Sequence, residues 1–482
     1  MFTWNNSPIT GGSGPGSEVE DQITKNKTFS TVQLFAFSLT YMAIWESMAG
    51  NLYFALYNGG PQSLVFGFII VFLVPSRRLF PSARWHRWRL STVHSWSTWF
   101  GYMAVVSGMA NVTMIFLQSI VKLNYPDLPT GGWITSVLVI SMFVIIGALN
   151  IFGFVLIPWI EMVAGVLHVA MFVVFNVVLL VSGTRNSGDF WLSTTSFSGW
   201  LDGPISWNLG MLTSVWGFTG FEGGMHMSED TQGAKSAVPK AIFWSIVLNG
   251  ILAFCTINVL VLATGPPEEV LAMDNPIIAI LMRTTGSKTA TTVLMLGFSI
   301  INLSCNIANV ASVSRLTLSW ARDGGLPRYF SGVDKKWNVP IRAVCLTVTV
   351  PSLLCLLNIA NDTYVAFGAL TSISSISLYI SYAIAIASML YARRSENVKL
   401  GQWNLGQYGV YINVVALMYT LYIIVLLPFP STLPVTASNM NYSGPLISVV
   451  LLAVTSYWYT RAPNKRWKPG EELIRRLMKS NS

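Results

Sequence analysis

The sequence predicts an all-α polytopic membrane protein with twelve transmembrane helices, and three observations carry that prediction. Hydrophobic residues make up 52% of the 482-residue chain and charged residues only 10%, far from the balance of an ordinary soluble domain. The mean hydropathy is +0.55. The charges sit between apolar runs of roughly 20 residues, the length that a helix needs to cross a bilayer. Twelve such runs are expected, near 34–56, 60–75, 96–120, 132–152, 155–182, 205–225, 239–263, 290–314, 342–359, 364–390, 409–430 and 445–460. They divide the chain into an N-terminal tail (1–33), a transmembrane domain (34–460) and a C-terminal tail (461–482).

The distribution of charge orients these runs. The formal net charge is +9, but all of the 29 Lys and Arg except Lys122, Arg185, Arg283 and Lys288 fall on one side of the expected membrane. That bias places both termini in the cytoplasm and turns the basic balance toward the anionic inner leaflet, so no nucleic-acid partner is expected. Met1–Ser30 is polar and reads as a disordered tail, without a cleavable signal peptide. Cys255, Cys305, Cys345 and Cys355 match neither a zinc site nor a disulfide framework and read as small packing residues. The chain lacks a Walker A sequence, a potassium-channel filter repeat, a metal cluster and a nucleophile triad. An ATP-driven pump and an enzyme are therefore not expected, and no catalytic, cofactor-binding or metal-binding residue is assigned.

The first run places Glu46 near its middle, followed at once by Ala49–Gly50–Asn51, and Asn58–Gly59–Gly60–Pro61 turns it into the second. The second run, 60–75, spans about 24 Å at 1.5 Å per residue, short of a hydrocarbon core of about 30 Å. It gives way to a basic stretch with Arg77, Arg78, Arg84, Arg87 and Arg89, weakly amphipathic and suited to the inner membrane surface. In the fifth run Glu161 and His168 are seven residues apart, two turns along one face. They suit a proton or substrate path. Glu161, near the inner end, reads better as an interfacial anchor, and His168 stays open between path and packing.

The sixth run breaks up in WGFTGFEGGMHMSEDTQGAKSAVP, Trp216 to Pro239, at Gly217, Gly220, Gly223 and Gly224. Glycines at this density weaken a helix and let backbone approach its neighbour. Glu222 lies among them, and an acid at that depth needs a cation, a proton or water. A broken helix with an ionisable residue at the break suits a midplane binding site in a secondary transporter. The alternative is a kinked packing helix with Glu222 paired structurally. Because the first run carries the same feature five helices earlier, the spacing predicts a five-plus-five inverted repeat with the last two helices outside it.

Glu229 and Asp230 fall at the inner surface, where they suit a latch against an Arg of another inner loop. In the eighth run Asn302, Cys305, Asn306 and Asn309 form a polar stripe, and Thr371, Ser372, Ser374, Ser375 and Ser377 form a second polar zone in the tenth. Either faces neighbouring helices or a cavity. Asn441–Tyr442–Ser443 is a plausible glycan acceptor on an outer loop.

The stretches SMAGNLYFALYNGGPQSLVFGFI, GFTGFEGGMHMSEDTQGAKSAVPKAI, SRLTLSWARDGGLPRYFSGVD and TSISSISLYISYA carry a resemblance to the amino acid–polyamine–organocation transporters. The chain is most similar to the fungal amino acid and GABA permease branch, which also includes choline carriers. The resemblance covers about residues 30 to 470. It implies a LeuT-like fold and movement of small amines or amino acids, commonly by proton symport. It also implies that the substrate carboxylate meets free amides around Ala49 and Gly50, among Glu46, Ser47 and Asn51. The substrate amine would meet carbonyls of Phe218, Thr219, Gly220, Phe221 and Glu222. Helix-terminus electrostatics agree, since an amino end suits an anion and a carboxyl end a cation.

Under this resemblance Phe218 or Phe221 covers the site or simply packs, and Glu46 and Glu222 are the proton-linked candidates. The implied partners are the amine or amino acid, protons and membrane lipid, in the plasma membrane or else a vacuolar or other internal membrane. Two alternatives stay open. One is a carrier of choline, ethanolamine or a polyamine, whose aromatic cage would draw on Trp45, Phe218 and Phe221. The other is a nutrient sensor without transport, which the short C-terminal tail disfavours. The resemblance lapses over PSRRLFPSARWHRWRLSTVH and resumes near Trp96. About two dozen residues are expected to be missing or read in another frame there, leaving the second helix truncated. A splicing error in the coding sequence is the preferred cause, with least order expected near 74–95.

Overall fold

A computed structural model of the protein describes residues 28–73, 88–183, 185–272, 275–360, 363–395, 406, 408–436 and 439–461. Most of both expected tails, and residues 74–87 with Arg77, Arg78, Arg84 and Arg87, lie outside the described residues. The regular structure described is helical, apart from one isolated bridge between Phe29 and Thr231.

The first expected span is three pieces: α1 (Thr31–Met42), α2 (Ile44–Gly50) and α3 (Leu52–Asn58). Then follow α4 (Gly60–Leu73), α5 (Trp88–Asn124), α6 (Gly132–Phe152) and α7 (Ile157–Ser182). The sixth span is α8 (Gly203–Gly217) followed by a 3-10 stretch, Phe221–Asp230. Beyond it come α9 (Ala234–Ala263), the short α10 (Pro267–Leu271) and α11 (Pro276–Thr285), and α12 (Lys288–Arg322). The chain closes with α13 (Ile341–Leu354), α14 (Leu357–Ala360), α15 (Thr363–Ser395), α16 (Tyr408–Leu426) and α17 (Ser443–Arg461).

Among the described residues eight helices are long and apolar enough to cross a bilayer, or nine if α3 and α4, bent by 115°, are one span. Twelve expected runs yield fewer qualifying helices partly because the first and sixth are interrupted. The described second span, α4, has 14 residues, about 21 Å of rise against a hydrocarbon core of about 30 Å. The third span starts earlier than expected. Low order was anticipated to residue 95, yet the helix begins at Trp88. Further along it contacts α15: His94 Nδ1 and Thr98 Oγ1 lie 2.9 and 2.7 Å from Ser381 Oγ.

Helices α5 and α12 are mostly buried and form the middle of the bundle, whereas α6, α7 and α13 leave most of their apolar surface outward. Ile145, Val166 and Val181 stand largely open on that outer surface. Lipid is as apolar as leucine, so close packing and polar contacts between helices have to hold such a bundle. Trp45 shows the packing: its ring meets Phe298 at 5.0 Å and Phe175 at 5.8 Å, contacts worth about 0.5–1.5 kcal/mol each beyond buried area. The polar stripe of the eighth span acts in the same way. Asn306 donates to Thr113 Oγ1 at 2.9 Å and Cys305 donates to the Tyr41 carbonyl at 3.1 Å, so the stripe joins helices, and none of its four residues lines the large cavity described below.

Candidate functional site

The break in helix 1 is built on Ala43, which adopts a left-handed conformation at φ 39°. Such a residue costs about 1–2 kcal/mol when it is not glycine, so neighbours must hold it. Asn249 of α9 supplies one clamp: its Oδ1 accepts from the Ile44 amide at 3.4 Å and its Nδ2 donates to the Leu39 carbonyl at 3.0 Å. Helix α7 supplies two more. Three residues before Ala43, Thr40 Oγ1 lies 2.5 Å from Glu161 Oε2; three residues after it, Glu46 Oε1 lies 2.6 Å from His168 Nδ1. The two-turn spacing of Glu161 and His168 thus matches the stretch of helix 1 that contains the break. Glu161 is wholly buried, so the structural contact it makes is with α1 and not at an exposed surface.

Helix 1 is interrupted twice, once at Ala43, earlier than the expected stretch 46–51, and once at Asn51 within it. Glu46, Ser47, Ala49 and Gly50 lie inside α2, with interruptions at Ala43 before them and Asn51 after them. The amides of Ala49 and Gly50 are therefore taken up in the helix. In its first turn the Ile44 amide is taken by Asn249, and those of Trp45 and Glu46 are left without a helical partner.

Helix 6 breaks where expected, across Phe218, Thr219 and Gly220, with Gly220 at φ 80°. Tyr382 of α15 spans the gap. Its oxygen accepts from the Gly220 amide at 3.1 Å and its hydroxyl donates to Glu222 Oε2 at 2.7 Å. The two broken helices touch through missing side chains: Tyr41 fills the place a Cβ on Gly223 would take, and Met48 does so at Gly217.

A cavity of about 1000 Å³ opens toward the loops expected to be outer, and Asn51, Thr213, Trp216, Thr371, Ser372 and Ser375 are among its lining residues. Of the ten substrate-binding residues expected from sequence, Asn51 alone lines it. Thr219 lies next to it, with its hydroxyl 3.5 Å from that of Ser375. Glu46, Ser47, Ala49 and Gly50 lie in the helical piece just before Asn51, and Glu46, Ser47 and Ala49 are buried. Phe218 packs on Phe68 and Phe72, Phe221 on Tyr382, and Trp45 in its own cluster with Phe172, Phe175 and Phe298.

On the opposite side, contacts between described residues tie the broken helices and α12 together. Phe29 donates its amide to the Asp230 carbonyl and accepts from the Gln232 amide, each at 2.9 Å, which ties the start of helix 1 to the end of helix 6. Arg315 Nε lies 3.1 Å from Asp230 Oδ2, and its guanidinium sits 3.8 Å over the Phe154 ring. Arg322 pairs with Glu229 at 3.1 Å. The expected latch is present, with both arginines on α12 and not on a loop. Asn441 is less suited to a glycan than its sequon suggested, since its Nδ2 donates to the Leu427 and Phe429 carbonyls.

Sequence reasoning missed Ala43, Thr40, Asn249 and Tyr382. A polar Asn in the middle of the apolar seventh run was the one signal available; an alanine and a threonine inside a helix carry none.

Two interrupted helices packed together, buried carboxyls beside the breaks and a cavity open on one face define an integral membrane protein of the permease class. The amino acid permease family profile matches residues 83–452. The chain belongs to that family, within the fungal permease branch of the amino acid–polyamine–organocation superfamily. It is 28% identical over 303 residues to amino-acid permease 2 of Neurospora crassa, covering 61% of this chain and 55% of that one. It is 25% identical over 470 residues to the choline transporter of Saccharomyces cerevisiae, covering 91% and 81%. With the amino-acid permease BAT1 homolog of Oryza sativa the identity is 25% over 520 residues, covering 97% and 99%.

Proposed function

We propose that the protein is a secondary active transporter that carries an amino acid, GABA or a related small amine by proton symport. One observation carries this reading: two broken helices meet below a cavity that opens to one side and is closed by ion pairs on the other. That is the arrangement of one state of an alternating-access cycle. In this reading the chain crosses the membrane twelve times, as a five-plus-five inverted repeat with two further helices, both termini being cytoplasmic and the membrane the plasma membrane. The substrate carboxylate lies near Asn51 and the first turn of α2. Its amine lies near the carbonyls of Phe218 to Glu222, and a buried carboxyl exchanges the coupled proton.

A choline-like cargo is the second reading, favoured by the yeast choline transporter, which aligns along 91% of this chain. It requires a different cage from the one expected, because Trp45, Phe218 and Phe221 pack in three separate clusters. Uptake of labelled GABA, neutral and basic amino acids and choline into permease-deficient yeast, at two external pH values, tests both. The chain should be compared with a version whose stretch near 74–95 is restored from the transcript. Uptake of one solute that rises as external pH falls supports symport. No uptake by either version at the cell surface sinks the assignment for that panel.

A further inference from the structure

Glu161 belongs to no expected substrate residue set, yet it is the carboxyl whose surroundings are hardest to reconcile with a charge. It is wholly buried, and among the described residues no cation lies within ion-pair distance of it. Its Oε1 has no hydrogen-bond partner. Its Oε2 meets Thr40 Oγ1 at 2.5 Å, but that hydroxyl has one proton and lies also 3.0 Å from the Ala36 carbonyl and 3.2 Å from that of Phe37. A threonine inside a helix ordinarily gives its proton to the carbonyl four residues back. The contact with Glu161 then needs a proton from the carboxyl. If Thr40 instead donates to Glu161, a carboxylate is buried with one hydrogen bond and a bare oxygen, a costly arrangement.

The other two acids have relief that Glu161 lacks. Glu46 has His168 at 2.6 Å, and Glu222 is partly exposed and accepts from Tyr382 at 2.7 Å. The titratable groups facing Glu161 are few. Cys305 of α12 lies close enough to feel both Glu161 and Glu46, and Tyr41 follows Thr40 on α1. Lys235 and Lys240 of α9 and Arg283 of α11 make no ion pair with it.

We propose that Glu161 is the group that carries the transported proton, and that it is protonated in this state. The proposal rests on the proton-symport reading. Bulk water on one side gives up one proton to the Glu161 carboxylate, and the acid returns one proton to bulk water on the other side, so the side chain is regenerated each cycle. The protonated acid keeps α1 seated on α7 through Thr40, directly before the Ala43 break. Loss of the proton leaves a carboxylate that must be hydrated, so the acid gives up its proton only once the other side has opened and water reaches it.

The test compares wild type with Glu161→Gln, which mimics the neutral acid, and Glu161→Asp, which keeps an acid. In proteoliposomes, Glu161→Gln should retain exchange of substrate for substrate, while accumulation driven by an inward proton gradient falls to the exchange level. Its uptake should no longer respond to pH, and Glu161→Asp should respond. Infrared spectra of purified protein should show the carbonyl stretch of a protonated carboxylic acid in wild type and its loss in Glu161→Gln, a readout that needs no substrate. Gradient-driven accumulation by Glu161→Gln at the wild-type level overturns the proposal, as does an unchanged infrared band. Wild-type uptake indifferent to a proton gradient overturns it too while leaving transport intact. Absence of any wild-type uptake defeats the transport reading itself.

Discussion

His168 Nδ1 lies 2.6 Å from Glu46 Oε1, and neither side chain has any exposed surface. The pair joins the middle of α7 to the piece of helix 1 that follows the break, while Glu46 Oε2 and His168 Nε2 have no further partner. A buried contact with this little support depends on both of its members.

Removing one of them should therefore be severe. His168→Ala leaves Glu46 buried without a partner, and the expected loss is about 3–5 kcal/mol. Replacing both, as Glu46→Gln with His168→Gln, should lose clearly less. Thermal unfolding of the purified protein in detergent measures both, and equal losses would show that the pair is not coupled.

The contact of Tyr41 with Gly223 leaves no room for a side chain. Gly223→Ala should cost about 1–3 kcal/mol through overpacking and reduce uptake. Gly108→Ala is the control, since a Cβ there meets its nearest neighbour, Trp216, at an ordinary 3.5 Å. Similar melting temperatures for the two variants would contradict the packing argument.

On the closed side the two ion pairs should be unequal. Arg315 is nearly buried, whereas Arg322 and Glu229 are exposed. An exposed pair contributes about 0–1 kcal/mol, so Glu229→Gln should change little. Asp230→Asn removes the partner of a buried guanidinium and should shift the population toward the state open on this side by about tenfold. The rate of alkylation of Met227→Cys, at a buried position of the 3-10 stretch, reports that opening. A rate unaffected by Asp230→Asn would remove Arg315–Asp230 as the latch.

Tyr382→Phe deletes the hydroxyl that links the Gly220 amide to Glu222. Hydrogen bonds to a charged acceptor contribute about 1.5–3 kcal/mol, so the maximal uptake rate should fall by about ten- to hundredfold if the link forms in the rate-limiting state. Unchanged uptake with unchanged expression would make the tyrosine a packing residue.

Asp323, just past the end of α12, gives a pH signature. Burial, and secondarily the negative charge of Glu229, raise its carboxyl above the ordinary range. A raised folded-state value means that its contribution to stability is fully present below the unfolded value, about 3.9, and is lost as pH rises through the folded value. Asp323→Asn should therefore melt above wild type at neutral pH, with the gap closing in acid. The side chain is exposed at the surface, so solvent screening keeps the effect small. A gap that widens in acid would contradict the sign.

Much of the site was visible before any coordinates. The glycines around Glu222 marked the helix 6 break because backbone weakness is a property of residue type, and the acids at Glu229 and Asp230 marked the latch by charge alone. Helix 1 was read less well. Its break was placed over Glu46 to Asn51, and an interruption does fall at Asn51; the left-handed one lies earlier, at Ala43, and is held from outside by Asn249. The polar zone of the tenth run was left open between neighbours and cavity; Thr371, Ser372 and Ser375 line the cavity, while most residues around the breaks are buried.

The sequence by itself determined the solvent, the helical class and the family, because hydropathy, charge bias and residue motifs are local quantities that survive without knowledge of contacts. Only the tertiary structure decided which residues share a proton, a clamp or a cavity. Thr40 and Glu161 are 121 positions apart in the chain yet 2.5 Å apart in space. Periodicity places each on a helix, but which helix it meets depends on the packing of the whole bundle, and no local pattern encodes that.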